Sequence, residues 1–117
     1  MKFIITESKI DNIILNFLNM EFIPDYDWGP ELFDFYKNEV DNYGSVDFYV
    51  NDEVVFTYFG EWDGYDYLYR LEVYNHVSEI LDNVFGSRWV PVLKKWFEKN
   101  TNLEVKEMRV YGEIIYF

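Results

Sequence analysis

Cysteine is absent, histidine occurs once, and there are three prolines. Without thiols the chain has no disulfide, no thiolate nucleophile and no thiolate metal site, and one imidazole is too few for a tight transition-metal centre. The familiar chemical motifs are missing too: there is no glycine-rich phosphate loop, no G-x-S-x-G elbow and no H-E-x-x-H pair. His76 follows Asn75, which reads as a helix cap, a position that leaves histidine exposed or capping rather than catalytic. Long apolar runs are also lacking. No stretch approaches the roughly 18 residues of a membrane span, and "MKFIITESKIDN" is too short in apolar residues for a secretion signal. These absences predict a non-enzymatic, cofactor-free and metal-free protein of the cytoplasm.

Positive charge is scarce. Lys and Arg total 10 against 22 Asp and Glu, for a net charge of -12. Residues 1–87 hold 18 acids and 4 bases, whereas residues 88–117 hold 4 acids and 6 bases. Such a body repels nucleic acid and anionic membranes and attracts basic protein surfaces. It also keeps an aromatic-rich chain in solution. The late bases Lys94, Lys95, Lys99, Lys106 and Arg109 are interspersed with Glu98, Glu104 and Glu107, the pattern of a solvated helix face with i,i+4 pairs.

Apolar residues make up 50% of the sequence and aromatic residues 22%, so 117 residues suffice for one domain with its own core, spanning 1–117. "KFIIT" (2–6) reads as a strand, with Thr6 or Ser8 capping a helix over 8–20 whose stripe is Ile10, Ile13, Ile14, Phe17 and Leu18. Pro30 opens a second helix to about residue 40. "SVDFYV", the turn Asn51-Asp52 and "EVVFTYF" form a hairpin, and "YDYLYRLEV" supplies a third strand after the turn at Asp63-Gly64. Asn75 caps a helix with Val77, Ile80, Leu81, Val84 and Phe85 on one face, closed by Gly86. Ser87 caps the next, whose stripe is Trp89, Leu93, Trp96 and Phe97, with Pro91 in its first turn. Residues 103–117 end as one or two strands. The order β-αα-βββ-αα-β(β) predicts an α+β domain, a mainly antiparallel sheet with about four helices.

"FTYFGEWDGYDYLY" (56–69) packs seven aromatics and three carboxylates into fourteen positions without a base. Alternation places Phe56 and Tyr58 on one face of a strand, and Val55, Thr57 and Phe59 on the other. Tyr65, Tyr67 and Tyr69 then share one face of the next strand. Most of these rings read as core and cross-strand pairs, and the remainder as an exposed patch centred on Tyr65, Tyr67, Tyr69 and Trp62. The turn is different: an indole at a tip is what a core explains least, and Tyr and Trp are favoured anchors of protein recognition. Glu61, Trp62, Asp63, Tyr65 and Asp66 are therefore the candidate partner-binding residues.

Other uses of the carboxylates fit less well. "DYDWGPE" (Asp25, Asp27, Glu31) and "EWDGYD" resemble pieces of calcium loops, but neither has the glycine and twelfth-position glutamate of an EF-hand. A glycosidase pair or a sugar-binding surface has no residue pattern that singles it out. Carboxylates on a small, rigid, acidic body can imitate DNA phosphates and fill the groove of a nucleic-acid-binding protein.

The opening "MKFIITESKIDNII" and the later "WVPVLKKWFEKNTNLEVKEMRVY" resemble segments of small proteins of tailed bacteriophages. The resemblance covers about a third of the chain and implies a phage origin without an assigned activity. It raises two options, an inhibitor or a virion component. With the acidic charge, the preferred reading is an inhibitor, in host cytoplasm, of a host defence or nucleic-acid-binding protein with a basic surface. A structural or accessory virion protein is the alternative, and a small carbohydrate- or calcium-binding module the third.

Overall fold

A computed structural model describes residues 7–22, 28–62 and 64–116. The strand expected at 2–6, residues 23–27 and Asp63 lie outside the described residues. Helix α1 (Glu7–Phe22) leads to a 3₁₀ turn (Pro30–Leu32) and α2 (Phe33–Tyr43). Strands β1 (Ser45–Val50), β2 (Glu53–Trp62) and β3 (Tyr67–Val73) follow. Then come α3 (Asn75–Phe85), a 3₁₀ turn (Gly86–Arg88), α4 (Trp89–Thr101), β4 (Glu107–Val110) and β5 (Glu113–Tyr116).

The fold is α+β, built on a five-stranded sheet in the order β1-β2-β3-β4-β5. Two-residue turns close two of its hairpins. Asn51 and Asp52 have φ of 51° and 65°, and Tyr111 and Gly112 have 53° and 76°. Both central residues are left-handed in each, the backbone whose twist matches that of paired strands. Between β3 and β4 the pairing is parallel, because α3 and α4 carry the chain back across the sheet before β4 enters. The other three pairings are antiparallel, as expected, and this one parallel contact makes the sheet mixed. The sequence pattern gives a strand its period but not its direction.

The helices pack on one face of the sheet. Phe97 of α4 lies 5.1 Å from Phe48 and 6.1 Å from Phe56, while Phe22 of α1 lies 5.7 Å from Phe56. Trp28 wedges against Phe48 and Trp96 at 4.9 and 5.7 Å. Ile14, Leu18, Trp89, Leu93 and Trp96 are buried as their spacing predicts, and Phe17 is half-buried against Phe85. The polar ends of buried rings are satisfied: Trp96 Nε1 donates to Asn19 Oδ1 at 2.9 Å, and Trp89 Nε1 to Asp82 Oδ1 at 2.6 Å.

Several local expectations need correction. Ile13, Ile80 and Val84 are exposed, since the apolar arcs of α1 and α3 are wider than the strip that meets the core. Tyr74, not Asn75, is the N-cap of α3, and Arg88, not Ser87, that of α4; neither makes a side-chain capping bond. Pro30 begins a 3₁₀ turn, with the α-helix starting at Phe33. In β2 the register slips between Phe48↔Phe56 and Tyr49↔Val54. That bulge leaves Val55 without its own partner and turns it, beside Phe56, towards Phe22 and Val77. Simple alternation had placed it on the opposite face.

Candidate interaction surface

The register makes part of the β2–β3 hairpin a free-standing ribbon. Pairing of β1 with β2 ends at Ser45↔Phe59, and β4 joins β3 only from Arg70↔Glu107 onward. Beyond these points, among the described residues, Gly60–Trp62 pair only with Tyr67–Tyr69. The last tie to β1's side is the Gly60 N–H, which donates to Gly44 C=O at 3.1 Å. The molecule is elongated, 57 × 34 × 22 Å.

Alternation gives the ribbon two unlike faces. On the helix side lie Gly60, Trp62, Tyr67 and Tyr69, continuing the face of Tyr58. The Tyr69 ring stacks on Tyr58 at 5.7 Å with 3° between planes, and Tyr67 meets Tyr69 edge-on at 5.4 Å. Lys37 of α2 places its Nζ 4.0 Å from the Tyr69 centroid. The Tyr67 ring covers Gly60 so closely that a Cβ there would fall 2.2 Å from a ring carbon. Glycine at 60 is what lets the ring lie flat along the ribbon. At its root the ladder is anchored: the Tyr58 hydroxyl donates to Glu104 C=O at 2.7 Å, and burial, reinforced by Tyr69, Glu104 and Glu98, raises its pKa well above the usual tyrosine value. Further out the rings come into solvent. Tyr67 is 44% exposed, Trp62 64% and Tyr65 89%.

The opposite face carries charge in pairs. Arg70, only 8% exposed, donates through Nε to Glu107 Oε2 at 2.5 Å and through Nη1 to Glu61 Oε2. Arg109 adds a cation 3.7 Å from the same Glu61 oxygen and stands 5.1 Å from the Phe59 ring. The hydrogen bond to Glu107 outweighs burial, so the guanidinium pKa is raised above its already high value. A buried cation needs such partners. Nearby, Thr57 Oγ1 donates to Asp47 Oδ1 at 2.7 Å and lies 2.9 Å from the Tyr74 hydroxyl.

The residues singled out in the sequence are therefore spread over the ribbon's parts. Trp62 stands on its aromatic face, Tyr65 and Asp66 lie exposed in the connecting turn, and Asp63 falls outside the described residues. Glu61 belongs to the opposite face, where Arg70 and Arg109 hold it. Tyr67, expected in an exposed patch with Tyr65, Tyr69 and Trp62, is indeed exposed. Gly60 and Lys37 were not legible as parts of this surface, because their meeting with it depends on cross-strand register and on where α2 packs. His76 is exposed on α3 with Nε2 3.8 Å from Glu53. Among the described residues no group of three or more His, Asp or Glu side chains is placed to hold a metal ion, and no helix is long and apolar enough to cross a membrane. Comparisons with family models, curated proteins and solved structures found no match to this chain.

Proposed function

We propose that this chain is a non-enzymatic protein-binding domain whose β2–β3 ribbon docks onto a basic surface of another protein. The observation that carries this reading is the ribbon itself, which projects past β1 and β4 and exposes Trp62 and Tyr65 at its end. A rigid indole on a two-stranded arm supplies contact area with little conformational entropy to lose, and the net charge of -12 supplies steering towards cations. The charge acts over the whole body rather than through Glu61, whose carboxylate is already engaged. With the likeness of two segments to small phage proteins, the partner we favour is a host protein with a nucleic-acid-binding surface, and the effect is inhibition.

The test is a pull-down from bacterial lysate with the parent chain and Trp62→Ala in parallel, followed by binding kinetics on the captured protein. Trp62→Ala should raise the dissociation rate by a factor equivalent to about 2 kcal/mol. Salt should mainly slow association, because screening acts over about 8 Å at physiological ionic strength. A partner bound equally well by both proteins removes the ribbon from the interface. Capture of capsid or tail proteins in place of a nucleic-acid enzyme would favour the virion role.

A further inference from the structure

A second surface lies along the outer edge of β1. This strand is first in the sheet order, so β2 pairs with one side of it only. The bond from the Gly60 N–H to Gly44 C=O sets the phase of the ladder: Val46 and Phe48 bond towards β2, and the backbone groups of Ser45, Asp47 and Tyr49 point outward. Among the described residues no backbone hydrogen bond from a loop or cap reaches those three. Beside this edge runs an apolar groove, floored by Val46 and Phe48 and walled by Trp28, Leu32, Phe35 and Tyr36. The Phe35 ring is more than half exposed there. An open strand edge next to a side-chain groove is the arrangement that accepts an extended peptide as an added strand, with backbone bonds for affinity and alternate side chains for selectivity.

The chemistry of the rim selects the occupant. Asp47 lies at the lip of the groove, and Glu31 and Asp34 stand exposed on the segment that forms its wall. The base of α2, Lys37, is drawn instead onto the Tyr69 ring. We infer that β1 binds an extended cationic segment of a partner protein as a sixth strand. Its apolar side chains, at every second position, enter the groove, while the intervening Lys or Arg side chains lie on the opposite face beside Asp47. Glu31 and Asp34 add to the negative field of the rim. This site is separate from the ribbon, and neither reading depends on the other.

The probe is an acetylated, amidated octapeptide alternating Lys with Val or Phe, titrated into the isotopically labelled chain. Amide exchange at Ser45, Asp47 and Tyr49 should slow by about tenfold or more, with the Trp62 and Tyr65 signals unmoved. N-methylation of every second peptide residue, on the side facing β1, should weaken binding by about tenfold or more, and Glu in place of Lys should abolish it. Phe35→Lys, a change at an exposed position, should weaken it as well. Equal binding of the N-methylated peptide overturns the proposal, as does the absence of any change at millimolar peptide. So does protection that grows with protein concentration alone, which would assign the edge to a second copy of the chain.

Discussion

Tyr58 shows how one side chain ties core to surface. Its ring stacks between Phe97 and Tyr69, and its hydroxyl reaches a backbone carbonyl 46 residues away. Because burial raises its pKa, the folded state keeps the phenolic proton that the unfolded chain releases near pH 10. Folding stability from this group is complete below about pH 10 and falls above it, by about 1.4 kcal/mol per pH unit. Urea titrations between about pH 9 and 11 should show that decline in the parent and a shallower one in Tyr58→Phe. At neutral pH the same substitution should cost about 1 kcal/mol for the lost hydrogen bond. An identical alkaline decline in both proteins would assign it to the other tyrosines.

Among the elements, α4 was the most legible. Trp89, Leu93, Trp96 and Phe97 recur at helical spacing, and all four are buried, Trp96 and Phe97 against Phe56 of the sheet. Trp96→Ala should therefore cost about 3–5 kcal/mol, read from the shift in the urea midpoint, and a cost under about 1 kcal/mol would contradict this placement. The same periodicity misled for α3, where Val77 and Leu81 are buried while Ile80 and Val84 face outward. An apolar residue one position away along a helix turns by about 100°, and only the neighbours decide which arc is covered. The bulge at Val55 and the parallel entry of β4 escaped the sequence for a related reason: both are fixed by partners distant along the chain. Of the interaction surface, the exposed Trp62 and Tyr65 were legible from a turn signal beside aromatic residues. The glycine under Tyr67 and the pairing of Glu61 with Arg70 were not, being consequences of register.

The whole molecule carries a large acidic excess. Ion pairs such as Arg70 with Glu107 are sheltered, but 22 acids against 10 bases leave a net charge of -12 that repels itself. Raising sodium chloride from about 0.01 to 0.15 M shortens the screening length from about 30 to about 8 Å, so the melting temperature should rise. A fall would mean that attractive pairs outweigh the general repulsion.

The packing of α1 against α4 has a consequence for synthesis. Asn19 meets Trp96, 77 residues further along the chain. At about 5–20 residues per second, a ribosome needs about 4–15 s to travel that distance. Throughout that interval the emerging Ile14, Leu18 and Phe22 have no tryptophan-bearing helix to cover them. Only the strands from β1 to β3, whose contacts are local, can assemble in the meantime. The nascent polypeptide therefore presents a greasy amphipathic segment to the cytosol for seconds, a natural substrate for a chaperone that waits at the exit tunnel.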